Sequence, residues 1–177
     1  MPEASCPCGL NPSQQGLLDV LLAGNPRRAP SWTRTRYEFI VEYGWWYEPA
    51  PRPKGIRLGR KRQCFKNAFN LALDNASLTY CEGFVRDPSG SLLILHAWVT
   101  DGHGRAIDNT LREPPSAYAG VPFRTDFLND YHLRNRAVIC LLDDHLHDWP
   151  MLGELGDRPE EWLEPKGQGA ARLLIGG

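Results

Sequence analysis

Cys64, His96 and Asp108 stand in that chain order, each in a setting that suits one step of acyl chemistry. A thiol attacks carbonyl carbon as its thiolate, and only a small fraction of an ordinary thiol is ionised at neutral pH. The positive end of a helix and a neighbouring imidazolium both shift that balance towards thiolate. The string CFKNAFNLALDNA (64–76) has Phe65, Ala68, Phe69 and Ala72 at helical spacing, and the linker before it sets the helix start at Gln63 or Cys64. The imidazolium must come from elsewhere, held by a third group that fixes its tautomer. His96 lies on a strand, LLILHAWVT (92–100), and Asp108 on a shorter one, RAIDNTL (105–111), with the turn DGHG (101–104) between them. Opposed residues of a hairpin share a face. A three-residue loop centred on Gly102 sets His96 opposite Asp108, and a five-residue loop centred on His103 makes them diagonal neighbours. A two-residue loop of Gly102 and His103 puts them on opposite faces. A triad therefore requires an odd loop or a bulge, which Gly102 and Gly104 make easy.

Supporting groups follow from the same geometry. The backbone N–H of Cys64, at a helix start, is one candidate oxyanion donor, and the side-chain amide of Gln63 is the second. Trp98 shares a strand face with His96 and is placed to wall the site, while Glu82 and Asn67 are candidates for contact with substrate. Each residue also has a plainer reading. Cys64 is then a packed thiol, His96 a core histidine satisfied by backbone, Asp108 a turn cap, Gln63 a surface amide and Trp98 a core ring. What favours chemistry is the joint occurrence of three suitable residues in feasible geometry.

That order of helix-start Cys, strand His and next-strand Asp resembles the papain-like and transglutaminase-like cysteine enzymes. HAW, followed after a turn by GRAIDNT, is similar to the His and Asp strands of transglutaminase-like proteins. RKRQCFKNA is similar to the Cys motif of arylamine N-acetyltransferases. The likeness spans residues 64–111. It departs from papain proteases in lacking a CGSCW-type signature and in using Asp rather than Asn, and from the acetyltransferases in lacking paired glycines before Cys64. It implies an α+β fold, with Cys at a helix N-terminus packed on an antiparallel sheet carrying His and Asp.

The function expected is attack by Cys64 on an amide-type substrate, with His96 as base and Asp108 holding it. A thioester passes to water in a peptidase, amidase or deamidase, or to an amine in a transferase. No cofactor and no metal is called for. The partner is a peptide, a protein or a small amide, acidic if the basic run RPKGIRLGRKR (52–62) rims the site. The alternatives for that run are a solvated linker, or the contact surface of a non-catalytic binding protein on the same fold. It has no interleaved aromatics, which argues against nucleic acid. Cys6-x-Cys8 and His145-x-His147 match no standard zinc spacing, and RLLIGG at the C-terminus reads as a frayed end.

The elements that must position these residues are set by a chain of 177 residues, 20.0 kDa and 42% hydrophobic, with six each of Trp, Tyr and Phe. That suffices for a core and excludes disorder and collagen-like repeats. No apolar run approaches the roughly 18 residues that span a bilayer. The N-terminus lacks the pattern of a secretory signal, so a cytoplasmic home is expected, with signal-independent export left open. Five cysteines in such a chain read as reduced thiols, with no disulfide among Cys64, Cys81 and Cys140. Residues 1–63 hold ten basic against five acidic residues, net +5, and 64–177 hold ten against sixteen, net −6.

One catalytic domain is expected over 1–177, with an N-terminal helix and linker region (1–55), a core (64–142) and a C-terminal wrap (143–177) anchored by Trp149 and Trp162. A helix over 13–23 is capped by Ser13 and buries Leu17, Leu18, Leu21 and Leu22. The loop 24–31 follows. Residues 35–48 suit either strand or helix, and 49–55 form an extended, proline-rich linker. Strands are expected at 79–85 and 137–142, a turn at 86–91 and a helix at 124–134. A helix followed by a meander, with more helices at both ends, argues α+β rather than a parallel βαβ fold.

Overall fold

Strands β1 (Trp45–Ala50), β2 (Thr79–Arg86), β3 (Leu93–Thr100), β4 (Arg105–Ile107), β5 (Ala117–Phe123) and β6 (Ala171–Arg172) form one sheet in the order β4-β3-β2-β5-β1-β6. The computed structural model describes residues 9–24, 29–87, 89 and 91–173; Cys6, Cys8, parts of the expected 24–31 loop and 86–91 turn, and the final LIGG lie outside them. β1 also pairs in parallel with β4, Glu48 against Arg105 through Ala50 against Ile107, so five strands close into a small barrel. Every other pairing is antiparallel. The fold is thus mixed α+β, built around a closed barrel rather than an open meander.

Alternation along β3 sends Ala97 and Val99 to the outer core and Trp98 inward. His96 takes the same face as Trp98. Inside the barrel, Trp98 meets Tyr118 and Tyr47 edge-on, with ring centroids 5.0 and 5.6 Å apart, beside Cys81, Val85 and Ala106. A barrel this narrow accepts an indole only where a neighbour has no side chain. Gly83 opposes Gly120, and a Cβ on Gly120 would lie 2.4 Å from Trp98 Cη2.

The outer core is covered by helices α1 (Pro12–Ala23), α2 (Arg36–Tyr43), α3 (Cys64–Asp74) and α4 (Thr125–Asn135), with α5 (Pro159–Trp162) from the C-terminal wrap. Ala68, Phe69 and Ala72 bury the apolar face of α3, as their spacing requires. The start of α1 differs from expectation. Asn11, not Ser13, is the cap: its side chain accepts the Gln14 N–H at 2.9 Å while Gln14 accepts the Asn11 N–H at 3.0 Å, with Pro12 in the first turn. Leu17, Leu18 and Leu21 are buried, but Leu22 faces solvent. The ambiguous 35–48 segment is both elements in turn, α2 capped by Thr35 and then β1, divided at Gly44.

Residues 137–142 are not a strand. The Leu141 and Leu142 amides donate to the Glu82 carboxylate at 2.9 and 3.1 Å, and a single 3₁₀ turn follows at 141–143. β5 stands between β2 and β1, where no strand was expected. In the C-terminal wrap Trp162 is fully buried, and Trp149 is half-buried edge-on against Trp32. No helix among the described residues is long and apolar enough to cross a membrane.

Candidate active site

The chain reaches α3 through Arg62, whose φ of 61° bends the backbone, and then Gln63, the N-cap. The Gln63 side chain makes no capping bond and is exposed. The Asn67 N–H donates to Gln63 O at 2.8 Å, which starts the helical ladder. The amides of Cys64, Phe65 and Lys66 precede that ladder and have no intrahelical acceptor. Cys64 itself is half-buried and carries a free thiol.

The β3–β4 connection is the five-residue one. Thr100 pairs with Ala106 and Val99 with Ile107, so five residues, 101–105, centred on His103, separate the last β3–β4 pair, with Arg105 already paired to β1. Gly102 and Gly104 both sit at φ 76°, which a side chain rarely adopts, and Asp101 accepts the His103 N–H at 3.0 Å. His96 and Asp108 are therefore diagonal neighbours on one face.

β4 ends at Ile107, earlier than the expected 105–111 strand, because the Asp108 carboxylate turns the backbone around itself. Its Oδ1 accepts the N–H groups of Thr110 at 2.7 Å and Leu111 at 2.9 Å. Its Oδ2 accepts from His96 Nε2 at 2.6 Å and from the Tyr118 hydroxyl at 3.4 Å. Asp108 thus caps a turn and holds an imidazole at the same time. The Cys64 sulfur lies close enough to His96 to favour its charged form, and with Nε2 engaged by Asp108 the ring nitrogen that is not already taken is Nδ1.

His96 and Asp108 are only 3% and 5% exposed. Burial opposes charge on His96, but the Asp108 carboxylate and the Cys64 sulfur outweigh it and raise the imidazole to about 9. Burial likewise pushes Asp108 up, yet His96 and the two backbone amides hold it below the usual carboxylate range. The Tyr118 phenol is pushed up by burial and then by the carboxylate it faces, so it remains a donor.

The structure brings Cys64, His96 and Asp108 together and leaves Gln63 exposed beside them. Glu82 and Trp98 are corrected, and Asn67 is held within the fold. Glu82 is fully buried, and its carboxylate accepts from Tyr80 Oη at 2.6 Å, Cys140 Sγ at 3.3 Å and the Leu141 and Leu142 amides. It ties the 140–142 segment to the barrel and is shut off from substrate. Trp98 fills the barrel interior rather than walling a cleft. The Asn67 side chain is consumed internally, accepting the Arg60 N–H at 3.2 Å and donating to Arg60 O at 2.8 Å and to Thr110 Oγ1 at 2.9 Å. Tyr118 is the residue that sequence reasoning missed. Only its place on β5 could have pointed to it, and β5 went unread.

Among the described residues no group of three or more His, Cys, Asp or Glu is placed to hold a metal ion. His147 instead pairs with Asp144 at 2.8 Å. No protein-family model, curated protein or solved structure matches the chain, so the geometry alone carries the reading that follows.

Proposed function

We propose that the chain is a cysteine enzyme of papain-like or transglutaminase-like design, acting on an amide-type carbonyl through a thioester. One observation carries this: a buried imidazole bonds a carboxylate at 2.6 Å through one nitrogen and lies beside the thiol at the start of α3. In the first step the Cys64 sulfur bonds to the carbonyl carbon and its proton passes to His96. Negative charge on the carbonyl oxygen develops at the start of α3, where the Cys64 amide is free to donate. His96 then protonates the leaving amine as the carbon–nitrogen bond breaks, leaving the thioester. Water or an amine attacks that thioester, gives its proton to His96, and releases the acyl product with the thiol restored. Throughout, Asp108 stabilises the imidazolium and fixes its tautomer.

Alkylation tests the reading directly. At pH 6, iodoacetamide should label Cys64 far faster than Cys140, which is also only partly buried, as mapped by mass spectrometry. His96→Ala should abolish that advantage, and Cys64→Ala should remove turnover without unfolding the chain. Equal labelling of Cys64 and Cys140 would sink the proposal.

A further inference from the structure

The basic run 52–62 carries Arg52, Lys54, Arg57, Arg60, Lys61 and Arg62 and no acidic residue. The remainder of the chain holds fourteen basic against twenty-one acidic residues, net −7. All six side chains are exposed, and none forms an ion pair among the described residues.

A solvated linker would hang free, and this one does not. The Gly59 N–H donates to Asn109 O at 2.6 Å, and the Asn67 side chain holds both the N–H and the carbonyl of Arg60. The contact is so close that a Cβ on Gly59 would lie 2.4 Å from Asn67 Cγ. Asn109 follows Asp108 and also donates to Asn67 O at 3.1 Å. The strap is therefore stitched to the first turn of the Cys64 helix and to the residue after Asp108. Beside it lies a groove of about 520 Å³, lined by Ile56, Arg57, Asn70, Leu71 and Asn109, with Asp74 the one acidic residue among its lining.

We infer that the substrate of this site is an acidic peptide segment, its carboxylates lying along the 52–62 strap while a neighbouring amide reaches Cys64. The inference rests on the cysteine-enzyme reading above and adds the substrate class. An extended peptide advances roughly 3.3 Å per residue. Carboxylates a few residues from the reacting amide thus meet Arg60, Lys61 and Arg62, and those further along meet Arg57 and Lys54. The groove suits a peptide, with Ile56 and Leu71 for apolar side chains and the exposed Asn70 amide for backbone. Nucleic acid fits less well. The strap has no aromatic side chain on which a base stacks, and the negative remainder of the surface repels a long polyanion.

The test uses chloroacetyl-capped hexapeptides in which four positions are Glu, Gln or Lys. Cys64 sulfur bonds to the methylene carbon as chloride leaves, and each rate is divided by the same protein's iodoacetamide rate. The Glu probe should react about tenfold faster than the Gln probe at low ionic strength, and the Lys probe slower than both. The preference should shrink to about twofold at 0.5 M NaCl, where screening is strong. Lys54→Gln combined with Arg57→Gln should cut it at least threefold, on the order expected for two lost charges. Equal rates for the Glu and Gln probes, with iodoacetamide still selective for Cys64, overturn the inference and leave the enzyme reading standing. Loss of iodoacetamide selectivity overturns both. Protection of Cys64 by a single-stranded DNA 20-mer, at lower concentration than by a Glu-rich peptide, would assign the strap to nucleic acid and overturn the inference.

Discussion

Replacing Asp108 by Asn changes one oxygen to an amide nitrogen, and the structure dictates which one. The Thr110 and Leu111 amides both point at Oδ1, so the amide oxygen of Asn must stay there. The NH₂ group is then turned to His96, where Nε2 can only accept. The ring must carry its proton on Nδ1, the nitrogen that has to accept the thiol proton. The carboxylate also contributes most of what lifts His96 from 6.5 to about 9 against burial. That lift corresponds to about 3 kcal/mol in favour of the imidazolium. Without it, only the Cys64 sulfur opposes burial, and His96 should fall back towards 6.5. Cys64 alkylation at pH 7.5 should fall about a hundredfold, the rate equivalent of that energy. The stabilisation is fully present below 6.5 and is lost as pH rises through about 9, so wild type and variant should converge in thermal stability at alkaline pH. The assay is the iodoacetamide rate from pH 5 to 10, with the His96 ring titration followed by NMR. A variant rate within fivefold of wild type, or a wild-type ring titrating at 6.5 or lower, would refute the reasoning.

Gly120→Ala should destabilise the fold by about 2–3 kcal/mol in urea titration, since its Cβ meets Trp98 Cη2 at 2.4 Å and Glu82 O at 2.6 Å. A change below about 0.5 kcal/mol would contradict the inward packing of Trp98. Glu82→Gln turns a donor towards a site already filled by donors. It should cost about 2–3 kcal/mol and speed hydrogen exchange at the Leu141 and Leu142 amides. His132 packs edge-on against Phe69 with neither ring nitrogen hydrogen-bonded, and burial lowers it to about 4 despite Asp144. Between pH 6.5 and about 4 the unfolded chain binds the extra proton, so stability falls with pH there. His132→Phe should flatten that limb, read as a smaller shift in urea midpoint between pH 7 and pH 5.

Local patterns made part of this site legible. The α3 helix could be read because its apolar residues recur at one turn, and that placed Cys64 at its start. The pairing of His96 with Asp108 was narrowed to an odd loop, but its length was decided by a contact no local rule shows: Glu48 to Ala50 of β1 run alongside Arg105 to Ile107. β5 went unread because AYAGVPF is buried at all seven positions, so it shows no alternation, and it contains Gly120 and Pro122. Residues 137–142 looked like a strand because they are apolar. Their amides instead bond to Glu82, some sixty residues earlier, a partner that spacing cannot reveal. The same distance hid the structural role of Glu82, which as a lone charge in a strand invited a functional reading.

Cys64, His96 and Asp108 all precede β5, the last strand to join the barrel, which wedges between β2 and β1 and brings the Tyr118 hydroxyl to Asp108. A chain still being synthesised, and ending just past Asp108, therefore holds Cys64, His96 and Asp108 but lacks the Tyr118 hydroxyl and the strand that joins β2 to β1. Until residues 117–123 have emerged, the strand pair that carries His96 has no neighbour linking it to β1 other than the three-residue β4. A cut in the 111–116 connection that let β5 depart would return the mature protein to that state, with all three residues intact.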